Sequence, residues 1–427
     1  MYKKALLKAI FLTLGVFFLS NSDIQSQEFF SSAYELIYNI FSVSSDPNEG
    51  MTVFLSTLIP MGGTAESMGL AYTAVANDSS FLEINPSGSA ILKNTEFSLF
   101  HNNWIADTRI EGIVFTQRFG SLGYAIGGKW LYIPFTERND FGERAATGYY
   151  SEAIGIANIA YHFWPGYYFY GIAIGANFKI AYRSIPDYTD ENGLLVKGSG
   201  LGQSAVAIMA DVGLISKFNF LKPYSSRDKN FSIGLTVRNI GPPVLDEPLA
   251  TVASLGIAYS FLRPLTLSMD IFQPINLLEF TRSEKFYGGI GASLQIADFW
   301  KMQAGFLLKS GNPRISLGAT VTIESLIINI NYTLDLTTQI TPLNRMSIEV
   351  KFNLGDNGRK AISDQVDKLY ILGLEAYAAG DFELAKKYWE EALKLNPYFD
   401  PARESLAMVK AAIEVQKKVL EIQTLGE

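Results

Sequence analysis

The chain has 427 residues, no cysteine, two histidines and a formal net charge of −7. That composition excludes a disulfide framework, a thiol nucleophile, a cysteine-based metal site and a lipid-modified N-terminal cysteine, and it leaves no basis for a His-based triad or a multi-His metal centre. The acidic balance gives no reason to expect nucleic acid as a partner. Hydrophobic residues make up 48% of the chain yet mean hydropathy is only +0.13, so apolar residues are dispersed among polar ones.

The first segment holds the only long apolar block. Lys3 and Lys4 precede Ala9 to Leu19, and Ser20, Asn21 and Ser22 supply small residues for cleavage. Charge, length and flank read as a secretory signal peptide over residues 1–22. The block is short of the roughly 20 residues that a spanning helix needs. From Phe29 to Phe41 the apolar spacing suits a short amphipathic helix, broken at Asp46-Pro47-Asn48-Glu49-Gly50.

Met61 to Leu92 is rich in Gly, Ala, Ser and Thr and nearly free of charge. Asn85-Pro86 is its strongest local signal. An Asn side chain caps the free amides of a helix start and Pro is pre-set for the first helical position, so a short helix or tight turn is expected to begin at Pro86. Ser87, Gly88, Ser89 and Ala90 would let that backbone lie close against a wall.

From Thr95 to Leu354 the pattern has period 2. Ile172, Ile174, Ala176, Phe178, Ile180 and Tyr182 share one face, and Gly171, Ala173, Gly175, Asn177, Lys179, Ala181 and Arg183 the other. Side chains alternate on a strand, so one face is greasy and the other small or polar. A soluble sandwich would bury the greasy faces together; a transmembrane barrel turns them to lipid. Segments of about ten residues, the length of a tilted crossing, favour the barrel. So do aromatic ends such as Phe163-Trp164 and Tyr167 to Tyr170, and polar faces carrying both charge signs. About fourteen such segments are expected, an even number as bacterial barrels have. They start near Thr95, Thr108, Ser121, Tyr150, Tyr168, Gln203, Asn230, Ala250, Leu265, Lys285, Phe299, Pro313, Ser325 and Arg345. Long loops are expected at Pro134 to Tyr149, Ser184 to Gly202 and Asn239 to Leu249, with tight turns at Gly120, Arg263, Asp298 and Glu324. Lys217 to Lys229 is long where the alternation asks for a short turn, and Ser310 to Asn312 is short where it asks for a long one. Lys179, Arg183, Asp211, Arg238, Asp270, Glu349 and Lys351 fall on the expected lumen face. Gly288-Gly289-Ile290-Gly291 and Gly198 to Gly202 lack the strand–helix context and the Lys-Ser/Thr of a phosphate loop. They fit a wall packed on a plug, or a loop. His101 and His162 sit near aromatics at expected strand ends and read as structural.

Past Gly355 to Gly358 charge density rises and the sequence turns helical. Leu372, Gly373, Gly380, Ala385, Trp389, Ala392 and Pro397 fall at the spacing of one tetratricopeptide repeat, in which small residues let two helices close and Pro stops the second. A plain helical hairpin gives the same elements, and Tyr398 to Leu420 would supply a capping or partner helix.

Ala74-Val-Ala-Asn-Asp-Ser-Ser80 followed by Asn85-Pro-Ser-Gly88 resembles the N-terminal hatch of the FadL family of outer-membrane transporters. The wider run, Thr64 to Leu92 with Glu96 to Asp107, resembles an uncharacterised FadL-related family of spirochaetes. Asn77 departs from the family's acidic residue and Ser87 from its Ala. The resemblance implies a barrel plugged by the hatch that passes apolar molecules inward, and it carries over Asn85, Pro86 and Gly88 as hatch residues; Asn77 and Asp78, in the same run, are further hatch or gating candidates.

The sequence therefore predicts a mainly β protein, a transmembrane antiparallel β-barrel with an N-terminal hatch and a small all-α C-terminal domain. The expected divisions are 1–22 signal peptide, 23–94 hatch, 95–355 barrel and 364–427 tetratricopeptide-like helices. Expected partners are outer-membrane lipid, a hydrophobic small molecule such as a fatty acid, and a periplasmic protein on the tail, with no cofactor, no metal, no nucleic acid and no enzymatic activity. The competing reading is a docking protein for which the barrel is an anchor.

Overall fold

The computed structural model describes residues 38–41, 44–104, 107–138, 141–185, 188–189, 194–196, 204–336 and 344–425. The signal-peptide segment, most of Phe29 to Phe41, and Gly198 to Gly202 lie outside them.

The strands are β1 (Glu96–Asn103), β2 (Arg109–Phe119), β3 (Leu122–Arg138), β4 (Arg144–Phe163), β5 (Ile172–Ser184), β6 (Tyr188–Thr189), β7 (Leu195–Val196) and β8 (Ala205–Phe218). They continue as β9 (Phe231–Ile240), β10 (Thr251–Leu262), β11 (Leu265–Ile275), β12 (Tyr287–Ala297), β13 (Trp300–Lys309), β14 (Asn312–Ile323), β15 (Leu326–Asp335) and β16 (Arg345–Asn353). Fourteen of them close into an antiparallel barrel, each paired with its sequence neighbour, β5 with β8, and β1 with β16. β6 and β7 pair only with each other, between β5 and β8. Closure leaves none of the fourteen barrel strands with an unpaired edge, as a bilayer would demand because it offers no water to satisfy backbone groups. Among the described residues no helix is long and apolar enough to cross a membrane.

Period 2 fixes the two faces. On β5, Ile174, Phe178, Ile180 and Tyr182 are exposed on the outer surface while Ala173, Asn177, Lys179 and Ala181 are buried inward. Three expectations need correction. Pro134 to Tyr149 is not a loop: Pro134 pairs with Tyr149 and the ladder runs on to Arg138 opposite Arg144, so the β3–β4 hairpin projects beyond the barrel. Tyr168 to Tyr170 belong to the turn before β5, not to the strand. The lumen is also not uniformly polar. Ile110, Leu131, Ile154, Ile156 and Met209 are buried on the inner side with Phe100, because there they meet apolar residues of the N-terminal segment and not water.

Connections alternate. One end of the barrel, the turn end, carries the tight turns at Gly120, Arg263, Asp298 and Glu324. The other, the loop end, carries the β3–β4 hairpin tip, the segment with β6 and β7, and residues 276–286. The chain enters β1 and leaves β16 at the turn end, since Thr95 and Gly355 exchange a backbone bond of 2.7 Å.

The tail comprises α3 (Arg359–Ala378), α4 (Phe382–Leu395) and α5 (Asp400–Leu425); the shorter α1 and α2 lie in the hatch. Trp389 is 1% exposed between α3 and α4 and donates to the Tyr370 carbonyl at 3.2 Å. A Cβ on Gly373 would enter its indole, so only Gly allows this approach. Ala385 and Ala392 are buried beside it, Leu372 is half-buried, Gly380 (φ 82°) ends α3, and exposed Pro397 follows α4. Asp381 caps α4 by accepting from the Leu384 amide at 3.1 Å.

Candidate functional site: the plug in the barrel

Met61 to Leu92 lies inside the barrel and is buried almost throughout; Asn77 is exposed and Leu70 and Asp78 are half-buried. It carries the short helices α1 (Gly63–Ser67) and α2 (Phe81–Ile84) and a 3-10 helix, Pro86–Ala90. Helices this short gain little from their own hydrogen bonds, so the plug is shaped by the wall around it.

Asn85 organises the 3-10 turn. Its Oδ1 accepts from the Ser87 amide (3.2 Å) and hydroxyl (2.7 Å), while its Nδ2 donates to the Thr73 carbonyl (2.7 Å) and to Leu214 of β8 (3.2 Å). One buried amide thus caps the helix that Pro86 opens, ties two parts of the plug together and pins them to the barrel. Gly88 packs against Phe81, whose ring a Cβ would strike.

The wall meets the plug with glycines. Cβ atoms on Gly213 and Gly305 would enter the Asn85 side chain and the Gly69 amide respectively, and Gly289 and Gly291 face Gly69 and Met68. The Gly288 to Gly291 run is a wall against a plug, as one of its two expected readings had it.

Polar side chains then clamp the plug backbone. Asp270 of β11 accepts the Tyr72 and Thr73 amides at 3.0 and 2.7 Å. Arg238 of β9 donates to the Glu83 carbonyl at 2.7 Å, Asn158 of β4 to Pro86 at 2.8 Å, and Asn331 of β15 to Gly63 at 2.9 Å. Lys179 and Asp211 form an ion pair of 2.6 Å and reach the plug through Asn177, which donates to Asp211 (2.8 Å) and to the Leu82 carbonyl (2.9 Å). Arg183 is half-buried over the Phe54 ring at 5.5 Å, at the loop end.

Three ion pairs join plug to wall. Lys351 of β16 lies 3.0 Å from Asp78, 3.2 Å from Glu349 and 3.9 Å from Glu96. Asp78 also accepts from the Thr64 hydroxyl and the Tyr72 phenol, both at 2.7 Å. Burial alone raises the Asp78 carboxyl; the Lys351 charge and these hydrogen bonds outweigh it and hold the group well below the usual carboxylate range. Asn77 accepts from the same phenol at 2.9 Å. Glu66 pairs with Arg345 at 3.0 Å and Glu83 with Lys129 at 2.5 Å. Sequence reasoning placed Glu349 and Lys351 on the lumen face but missed Glu66, Glu83, Glu96, Lys129 and Arg345. The signal available for the wall members was the same period 2; nothing local marked the acidic residues of the plug.

Between the plug and the loop end, Val53 to Met61 covers the apolar strip of the lumen. Phe54 is 2% exposed and packs in one cluster with Phe100, Ile110, Leu131, Ile154 and Met209. Lys129 holds this segment through the Ile59 carbonyl at 2.6 Å. Further out, the Asp46 carboxylate accepts from the Lys285 amide at 2.5 Å, and the Asp46 amide donates to the Ser310 hydroxyl at 3.0 Å.

At the turn end the tail docks on the rim. Arg227 makes two 2.6 Å bonds to Asp367 of α3. Asp400 accepts the Tyr167 and Tyr168 amides at 3.0 and 3.3 Å, and Tyr168 donates to Glu404 at 3.0 Å. The unexpectedly long Lys217 to Lys229 connection is therefore part of a docking platform for the tail.

Residues 38–357 match the model of an uncharacterised protein family, UPF0164, and the chain belongs to that family. A UPF0164 protein of Treponema pallidum (strain Nichols) is 27% identical over 394 residues, covering 88% of this chain and 87% of the relative. A second from the same organism is 26% identical over 379 residues, covering 85% and 76%. Among solved structures, the Pseudomonas putida toluene transporter TodX is similar with TM-score 0.47 and 12% identity, covering 67% of this chain and 95% of that one. A Pseudomonas aeruginosa FadL homologue gives TM-score 0.42 and 10% identity, covering 68% and 97%.

Proposed function

We propose that this UPF0164 protein is an outer-membrane passage for long-chain fatty acids or similar hydrophobic small molecules, gated by the plug, with its tail in the periplasm. The observation that supports it best is the apolar strip of Phe100, Ile110, Leu131, Ile154, Ile156 and Met209, occupied by the chain's own Val53, Phe54, Ile59 and Met61. An apolar ligand gains about 25 cal/mol per Å² on leaving water, so it can take the place of these side chains without charged ligating groups. A seated plug suits a molecule that passes by rearrangement and not a small ion. The hatch-like Ala74 to Gly88 sequence agrees with that reading.

The test is uptake of a labelled fatty acid beside ion conductance in planar bilayers. The reading expects saturable uptake and low conductance. Free conductance with no fatty-acid binding would overturn it.

A second reading, a barrel-anchored docking protein, is favoured by one observation. Met408, Val415, Val419 and Ile422 are exposed along α5. It expects a periplasmic complex that is lost when residues 364–427 are deleted.

A further inference from the structure

At the turn end, beneath the plug, the inner wall carries positive charge with little to balance it. Arg118 of β2, His162 of β4 and Lys217 of β8 all fall on the inward-facing positions of their strands. They converge on Tyr170. The His162 ring lies 4.8 Å from the Tyr170 ring, and the Lys217 ammonium stands over that ring at 5.6 Å. Arg118 and Lys217 are both within electrostatic reach of His162.

Docking of the tail adds one more cation here. Arg359 of α3 donates to the carbonyls of Arg118 (2.8 Å) and Lys93 (2.5 Å). The acidic groups nearby are Asp228 and Asp356. Asp228 pairs with Lys93 at 3.3 Å on the surface, both side chains being about four-fifths exposed (79% and 80%). Asp356 accepts the amides of Gly358 and Lys360 at the start of its own helix. Among the described residues, no carboxylate forms an ion pair with Arg118, Lys217 or Arg359.

His162 is the second, independent sign. It is 4% exposed, and neither ring nitrogen has a partner in good hydrogen-bond geometry, although the Tyr170 backbone is close enough to act on the ring. A buried polar group without a partner costs free energy unless something supplies the bond. The same place is lined by Ile91, Leu92, Ala160 and Ile215, all buried in one apolar cluster that Tyr170 flanks.

We propose that Arg118, His162 and Lys217, with Arg359 of the tail, form a receiving site at the inner end of the barrel for the carboxylate head of a long-chain amphiphile. The site rests on the passage reading above and names the chemistry of its cargo. A guanidinium presents a fork that matches a carboxylate, and an ammonium adds a compact charge beside it. The alkyl chain would lie along Ile91, Leu92 and Ile215. An anion at this point relieves the repulsion among the cations and gives His162 a hydrogen-bond partner. A neutral molecule of the same length gains neither.

The test is equilibrium binding to the full-length protein in detergent, against empty micelles, of palmitate, hexadecanol and hexadecyl phosphate. The variants are Lys217→Met, Arg118→Met and the conservative Lys217→Arg, each checked for the heat-modifiable migration of a folded barrel. Wild type should bind palmitate roughly tenfold more tightly than hexadecanol, the size of one charge-assisted hydrogen bond. Lys217→Met and Arg118→Met should bring palmitate down toward hexadecanol and leave hexadecanol unchanged, while Lys217→Arg keeps the preference. Equal binding of acid and alcohol in wild type, or a ratio that neither Met variant alters, overturns the site while sparing the passage reading. Tighter binding of hexadecyl phosphate than of palmitate overturns the carboxylate assignment. Binding of none of the three overturns the passage reading and this site with it.

Discussion

Lys351, on the last barrel strand, lies 3.0 Å from Asp78 in the plug, although the whole barrel separates them in sequence. The pair makes the plug's seat a product of barrel closure: Thr64 and Tyr72 reach Asp78 from within the plug, but its cationic partner arrives only with β16. Lys351 also stands between Glu349 and Glu96, so its removal leaves three carboxylates facing one another.

Lys351→Met should therefore unseat the plug. Removing one partner of a buried pair typically costs about 3–5 kcal/mol. In planar bilayers the variant is expected to show current bursts that wild type lacks. Unchanged, quiet traces from a folded Lys351→Met barrel would show that the pair does not hold the plug.

Gly305→Val tests the wall. The added Cβ falls on the Gly69 amide, which is backbone and cannot swing aside as a side chain can. The plug should move while the barrel closes normally. Limited proteolysis is expected to cut the hatch in the variant and spare it in wild type, with heat-modifiable migration retained in both. Equal protection of the two would mean that the strand, and not the plug, absorbs the strain.

Asn85→Ala removes a helix cap, typically worth about 0.5–2 kcal/mol, together with its bonds to Thr73 and Leu214. Hydrogen exchange at the Ser87 amide, which Asn85 now holds, should speed up, and fatty-acid uptake should change with it. If both stay at wild-type values, Asn85 is not what fastens the 3-10 turn to β8.

The barrel was legible because period 2 persists whatever lies on either side of a strand. The tight turns at Gly120, Arg263, Asp298 and Glu324 stand where their residues placed them, and Asn85-Pro86 does begin a short helix. What period 2 cannot say is what each inner face meets. Ile110, Leu131, Ile154 and Ile156 face inward because Phe54 and its neighbours cover them, a contact across the whole molecule. The same holds for Glu66 with Arg345 and for Glu83 with Lys129. The β3–β4 hairpin was hidden because the polar and glycine residues of its tip look like a loop, while the ladder carries pairing past them. The long connection after β8 was visible as an anomaly, but its meaning came only with Arg227 against Asp367.

Trp389→Ala should loosen the tail. The indole fills the space that Gly373, Ala385 and Ala392 leave between α3 and α4, and truncating a buried Trp typically costs about 3–5 kcal/mol. A helical unit this small has little stability to spare. In the full-length chain, protease should remove the tail from the variant at temperatures where wild type resists and the barrel is intact in both. Equal resistance would show that docking on the rim, through Arg227 and Asp400, holds the helices together without the Trp.

On the passage reading, the plug must move for a hydrophobic molecule to pass. Ser79 of the plug and Ser98 of β1 have hydroxyls 2.8 Å apart, near enough for a disulfide between cysteines at these positions. The chain has no other thiol to compete. Uptake of a labelled fatty acid by the Ser79→Cys/Ser98→Cys double variant should stop when the bond is formed and return when it is reduced, with ion conductance low throughout. Uptake that continues at the reduced-state rate through a fully oxidised, folded barrel would show that passage does not need the plug to move.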